Sequence, residues 1–123
     1  MPEVEEATTS GTAICSPKGD LDATTLSTFR GAVGLCLGEP GLIVDLSSVH
    51  FIDGAGLTAL VGTVRRAREQ LTRVAVVVPP GSVRKVLGEA GLDQIVSVWE
   101  TAELALAEIY DNASTPEHVQ SRP

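Results

Sequence analysis

Residues 41–71 constrain the fold more than any other stretch, because the apolar period changes inside them from that of a strand to that of a helix. Leu42, Ile43, Val44 and Leu46 make a short, nearly continuous apolar run, the pattern of a strand covered on both faces of a sheet. Ser47 and Ser48 mark a turn, residues 49–52 form a second apolar clip, and Asp53-Gly54-Ala55-Gly56 follows. Beyond it Leu57, Leu60, Val61, Val64 and Leu71 recur on one face of a 3.6-residue helix. Asp53 is therefore the expected N-cap, its carboxylate accepting N–H groups of the first turn.

The flanking segments continue the alternation. Residues 4–8 suit either an edge strand or a disordered tail, and residues 12–17 read as a strand that Pro17 ends or holds at an edge. Asp22 or Thr24 is expected to cap a helix with Leu26, Phe29, Val33 and Leu37 inward, stopped by Gly38-Glu39-Pro40-Gly41. Arg65, Arg66, Arg68, Glu69 and Gln70 mark the solvated face of the central helix, where basic charge suits the C-terminal end, with an anion site on the three arginines as the other reading. Residues 74–78 form a β-branched run and read as an interior strand, ended by Pro79-Pro80-Gly81. Ser82 is the expected cap of a short helix with Val83, Val86, Leu87 and Ala90 inward; Gly91 terminates it in the left-handed conformation and Leu92 packs against it.

Residues 95–99 read as the last strand, and Thr101 as the cap of a final helix with Ala102, Leu106, Ile109 and Tyr110 toward one side. Residues 112–123 have no periodicity, which gives a single domain over residues 1–111 and a disordered tail over residues 112–123. Strands separated by helices of this length need crossover connections, so the expected class is α/β with a mostly parallel sheet.

Composition narrows the function classes. Nine basic against sixteen acidic residues leave a net charge of −7, whose field repels nucleic-acid phosphates and anionic membranes and favours a basic patch on another protein. No apolar run reaches the ~20 residues that cross a bilayer, and the acidic start Met1-Pro2-Glu3-Val4-Glu5-Glu6 is unlike a signal peptide. A cytoplasmic location without membrane insertion is expected. Cys15 and Cys36 are too few for a disulfide framework and read as small buried hydrophobes, with a redox pair as the other reading.

Catalysis is not expected. A nucleophilic enzyme sets a Ser, Cys or Lys beside a base, usually a His, and the two histidines are His50, inside the second clip, and His118, in the tail. No His/Cys cluster has metal-ligand spacing, and Gly54-Ala55-Gly56 lacks the later Gly and the Lys of phosphate-binding loops, so neither metal nor cofactor is expected. What remains is the turn. Its glycines leave first-turn N–H groups open and let another backbone come close, or they serve only to make the bend tight.

The run Asp45-Leu46-Ser47-Ser48-Val49-His50-Phe51-Ile52-Asp53-Gly54-Ala55-Gly56-Leu57 resembles the signature of the STAS domain, the family of bacterial anti-sigma factor antagonists. Gly19-Asp20-Leu21-Asp22, followed by Thr24-Thr25, is similar to that family's Gly-Glu-Leu-Asp element, and the likeness covers residues 4–110. The resemblance implies a sheet of four or five strands with an antiparallel first strand at the edge and four helices mainly on one side. It also implies a regulatory role: binding an anti-sigma factor of the serine-kinase type and so releasing a sigma factor.

In relatives the kinase phosphorylates a serine just after the aspartate. Here Asp53 matches the aspartate, Gly56 and Leu57 match the pair that follows, Gly54 occupies the serine's place and Ala55 the next. The implied partner surface comprises Asp20, Asp22, Asp53, Gly54, Ala55, Gly56, Leu57, Thr58 and Arg65, with no phosphoacceptor at the family position. Ser47, Ser48 and Thr58 are nearby hydroxyls that also suit turn or helix-surface roles. Two other functions compete: a STAS subunit of a membrane transport complex touching an ATPase, and a weak nucleotide-binding protein using the helix N-terminus.

Overall fold

The computed structural model describes residues 3–9 and 11–114. Its elements run β1 (Glu3–Thr9), β2 (Thr12–Leu21), α1 (Leu26–Cys36), β3 (Gly41–Asp45), β4 (Val49–Ile52), α2 (Gly54–Glu69), β5 (Arg73–Val77), α3 (Ser82–Glu89), β6 (Ser97–Trp99) and α4 (Ala102–Ser114). The sheet order is β1-β2-β3-β5-β6, with β4 paired to β2. β1 is antiparallel to β2 at the edge, which decides the open reading of residues 4–8 in favour of a strand, and every other pairing is parallel. The α/β class and the antiparallel edge match expectation, with one strand more because the clip at Val49–Ile52 joins the sheet.

β3 and β4 act as two successive partners of one long strand. β3 pairs with Thr12, Ala13, Ile14 and Cys15, and β4 pairs with Gly19, Asp20 and Leu21 after a register shift. Of the two readings of Pro17, the edge is the one seen: β2 runs on past it, and Pro17 lies between these two pairings and is paired only on the β1 side, opposite Val4. A residue without an N–H is tolerated where one neighbour is missing. The turn linking β3 to β4 is held by Asp45, whose Oδ1 accepts from Ser47 N at 2.9 Å and Ser47 Oγ at 2.6 Å.

Alternation along the central strands sorts the core into two faces. Cys15, Leu42, Val44, Val76 and Val78 point to one face, where Phe29 and Val33 of α1, Leu60 and Val64 of α2, and Val83 and Leu87 of α3 bury them. Ile43, Ala75 and Val77 point to the other, covered by Ala105 and Ile109 of α4. Three helices on one face and one on the other satisfy a strand such as β3, whose Leu42, Ile43 and Val44 are all buried. Each such side chain contributes roughly 1.5–3 kcal/mol of burial free energy. Cys15 and Cys36 both lie buried in the larger core.

Several boundaries differ from the sequence reading, each for a local reason. α1 is capped neither by Asp22 nor by Thr24: Thr25 is the N-cap residue and makes no side-chain cap bond. Ser82 is the first residue of α3, and Gly81 occupies the cap position with φ of 152°, which a β-carbon would disfavour. Ala90, expected inward, is exposed beyond the last turn of α3. A short 3₁₀ turn over Leu92–Gln94 takes up Ile95 and Val96, so β6 is only three residues long.

α2 ends at Glu69, and Thr72 N donates to Ala67 O at 2.8 Å across a left-handed Leu71 with φ of 59°. That geometry turns Leu71, expected on the buried face, out to 89% exposure. Thr101 caps α4 as expected, its Oγ1 accepting from Leu104 N at 3.3 Å. α4 continues through Ser114, three residues past the expected domain end. Residues 115–123, including His118, and the side chain of Tyr110 lie outside what is described.

Candidate functional site

The ends of β2 and β4 lie side by side, so that the acidic residues picked out separately in the sequence meet at one edge. Asp20 is opposite Phe51, Leu21 is opposite Ile52, and Asp53 N donates to Leu21 O at 3.3 Å. Asp53 has extended backbone, φ −111° and ψ −172°, and its Oδ1 accepts from Gly56 N at 3.0 Å while its carbonyl accepts from Leu57 N at 2.9 Å. It is the N-cap that the sequence implies.

Asp22 does something different from capping. Its Oδ1 accepts from Thr24 Oγ1 at 2.7 Å and Thr24 N at 2.9 Å, and its N–H donates to Thr25 Oγ1 at 3.1 Å. The Thr24 hydroxyl, aided by backbone N–H groups, holds the Asp22 carboxyl below its ordinary range. Thr25 Oγ1 in turn donates to Asp20 O at 2.9 Å, which fastens the β2–α1 loop beside the bend.

The two glycines of the bend have different reasons to exist. Gly56 is buried, and a β-carbon there would run into Leu21 O and lie 2.8 Å from Ile52 Cγ1. Its smallness lets α2 sit on β2 and β4, so the approaching backbone is the protein's own rather than a partner's. Gly54 is exposed, its φ is not positive, and a β-carbon there would meet nothing within 4 Å. Nothing in the fold requires glycine at this position.

Gly54, Thr58, Val61 and Arg65 fall within about 60° of rotation on α2 and form a stripe leading away from the bend. Gly54, Thr58 and Arg65 are exposed and Val61 is half-buried. Arg65 is about three turns, roughly 16 Å, from Gly54, so it belongs to the helix flank and not to the acidic edge. Ala55 and Leu57 are half-buried beside it. Thr58 Oγ1 donates to Gly54 O at 2.9 Å, an ordinary helix-surface bond.

Phe51 is a surface feature that the sequence reading passes over. It is 52% exposed on β4, next to Asp20 in register. Its signal is hidden because β4 breaks strict alternation, His50 and Phe51 both being exposed between buried Val49 and Ile52. Arg30, also passed over, projects from α1 toward α2 and lines a groove with Arg65 and Arg66.

A second concavity of about 250 Å³ opens between the β3–β4 turn and the β5–α3 loop, with Ser47, His50 and Ser82 in its wall. The Ser47 hydroxyl is donated to Asp45, and the His50 side chain makes no hydrogen bond among the described residues. No group of three or more His, Cys, Asp or Glu among the described residues has metal-binding geometry. Among those residues no helix is long and apolar enough to cross a membrane.

Known proteins resemble this chain in sequence and in fold. An anti-sigma-F factor antagonist, RsfB of Mycobacterium tuberculosis, is 28% identical over 98 residues, covering 78% of this chain and 80% of its own. The crystal structure of an anti-sigma factor antagonist from Mycobacterium paratuberculosis superposes with a TM-score of 0.81 at 26% identity, over 89% of this chain and 95% of that one. A sulfate transporter family protein from Wolinella succinogenes shares the fold, with a TM-score of 0.77 at 17% identity over 89% and 93% of the two chains. Residues 3–105 match the STAS domain, a span that takes in the strand, the capped bend and the helix described above, and the chain belongs to the STAS domain family.

Proposed function

We propose that this protein is an anti-sigma factor antagonist: a non-enzymatic binding module that docks its β4–α2 bend on an anti-sigma factor and so frees a sigma factor. The observation that carries the proposal is the exposed, Asp53-capped start of α2 with the acidic edge beside it, on a chain related to proteins bearing that name. The contact surface is Asp53, Gly54 and Thr58 at the bend, Asp20 and Asp22 at the end of β2, and Leu57 and Arg65 along the helix flank. The acidic side chains suit a basic patch and act chiefly on the rate of encounter.

The same proposal holds that phosphorylation at the family position cannot switch this protein off. A phosphate at the start of α2 would bring about −1.5 to −2 charges to the contact, and Gly54 offers no hydroxyl to carry it. The anti-sigma factor is a serine-kinase type, the site of action is the cytoplasm, and release is governed by something other than that modification. The likeness to the Wolinella protein is one of fold, and it leaves the transporter reading without separate support.

Titration with purified anti-sigma factors of the source organism, with and without ATP, tests this. The expected result is binding that survives incubation with ATP, loss of affinity on Asp53→Ala, and conversion of Gly54→Ser into a phosphorylated, non-binding form. Mass-spectrometric detection of phosphate on Ser47, Ser48 or Thr58 of the wild-type chain, with loss of binding, would refute the unswitched reading.

A further inference from the structure

The groove between α1 and α2 is basic on a protein that is otherwise acidic. Arg30 of α1 and Arg65 and Arg66 of α2 line a cavity of about 430 Å³ floored by Ala59 and Gly62. Three of the nine basic residues of a chain with net charge −7 thus face one space. None of the three makes an ion pair with a described carboxylate, although Glu69 lies one turn beyond on α2. Arg30 and Arg65 are exposed and Arg66 is half-buried, so their charges are directed outward and are not neutralised within the fold. At physiological salt the screening length is about 8 Å, and a ligand in the groove therefore feels these guanidinium groups more than the distant net charge.

We infer that this groove receives the side-chain carboxylates of an acidic segment on the anti-sigma factor. Guanidinium forks match carboxylates bidentately, and three of them on two helices can engage several carboxylates spaced along a peptide. Small-molecule pockets are mostly apolar with a few polar groups; this groove has three charged side chains over a floor of one alanine and one glycine, an arrangement better suited to a polar protein segment. Arg65 joins it to the stripe running from Gly54, so one partner can cover the bend and the groove together. The two ends then carry opposite sign, acid at Asp20, Asp22 and Asp53 and base at Arg30, Arg65 and Arg66, which fixes the direction in which the partner lies. The partner's identity rests on the antagonist reading; the chemistry of the groove does not.

The test uses the full chain, a hexaglutamate peptide and inorganic phosphate, followed by NMR of the arginine Nε–H resonances. Arg30→Gln/Arg65→Gln/Arg66→Gln is compared with Arg73→Gln/Arg84→Gln/Lys85→Gln, which removes the same charge elsewhere, and each spectrum reports whether the variant is folded. The expected result is saturable shifts of the three groove arginines with the peptide in the wild-type chain and the control, and, read on the backbone amides of α1 and α2 in all three proteins, an affinity weakened about tenfold or more in the groove variant and nearly unchanged in the control. Wild-type shifts that are absent, equal loss in both variants, or binding of phosphate without the peptide would each overturn the inference. Peptide binding in the groove by a chain that captures no anti-sigma factor would uphold the groove and sink the antagonist reading.

Discussion

The two ends of α2 treat glycine in opposite ways. At its start Gly54 sits in unstrained, exposed backbone with open space where a side chain would go. At its end Leu71 holds a left-handed φ of 59°, a conformation that favours glycine, with its side chain 89% exposed. Glycine is thus present where the fold does not ask for it and absent where the fold would prefer it. Between these lies Gly56, whose missing β-carbon is required by Leu21 and Ile52. A glycine in a turn motif therefore cannot be read as one kind of evidence: Gly56 serves packing, whereas Gly54 bears on what the surface can present.

That contrast can be broken by substitution. Gly56→Ala should be the most damaging change, costing about 3 kcal/mol in urea unfolding, because the new methyl must displace the β2 backbone rather than a flexible side chain. A loss below about 1 kcal/mol would mean that α2 can shift away from β2. Asp53→Ala should cost about 1 kcal/mol in the same measurement, the usual value of a lost N-cap, and should weaken partner binding as well.

Leu71→Gly should stabilise by about 0.5–1 kcal/mol, relief of the left-handed strain outweighing the added freedom of the unfolded chain. A destabilised Leu71→Gly would show that the exposed leucine packs on something in solution. Gly54→Ser should change stability by less than about 0.5 kcal/mol, so any loss of binding after kinase treatment reports the phosphate alone.

The smallest effect belongs to Asp22 and appears only with pH. Its carboxyl is held below the ordinary range by Thr24, so the folded state favours the ionised form more than the unfolded chain does. The resulting stability is present above the ordinary carboxylate pKa and fades as pH falls through the lower folded value. Thr24→Val should flatten that acidic limb of the unfolding curve; an unchanged limb would remove Thr24 as the cause.

The acidic edge shows how far the sequence reaches. Asp53 could be assigned as a cap because it stands directly before a 3.6-residue period, a relation between neighbours in the chain. Asp22 could not be, since its neighbours Thr24 and Thr25 offered competing hydroxyls and the choice among them depended on where β2 stops. Pro17 left two readings open for a similar reason: a proline says that one N–H is missing, and only the sheet shows that the strand continues with one side of β2 lacking a neighbour there. Leu71 fitted the apolar period yet fell past the helix end, and Phe51 and Arg30 gave no local signal at all.

By itself the sequence determined most of the elements and their order, the capped bend with glycine at position 54 and the two-sided burial of the central strands, because each follows from spacing along a few residues. The tertiary structure decided which glycine is structural, that β4 extends the line of β3 beside β2, and that Arg30 meets Arg65 and Arg66. Those are contacts between segments far apart in the chain, set by how α1 and α2 pack on one face of the sheet, and no local period encodes them.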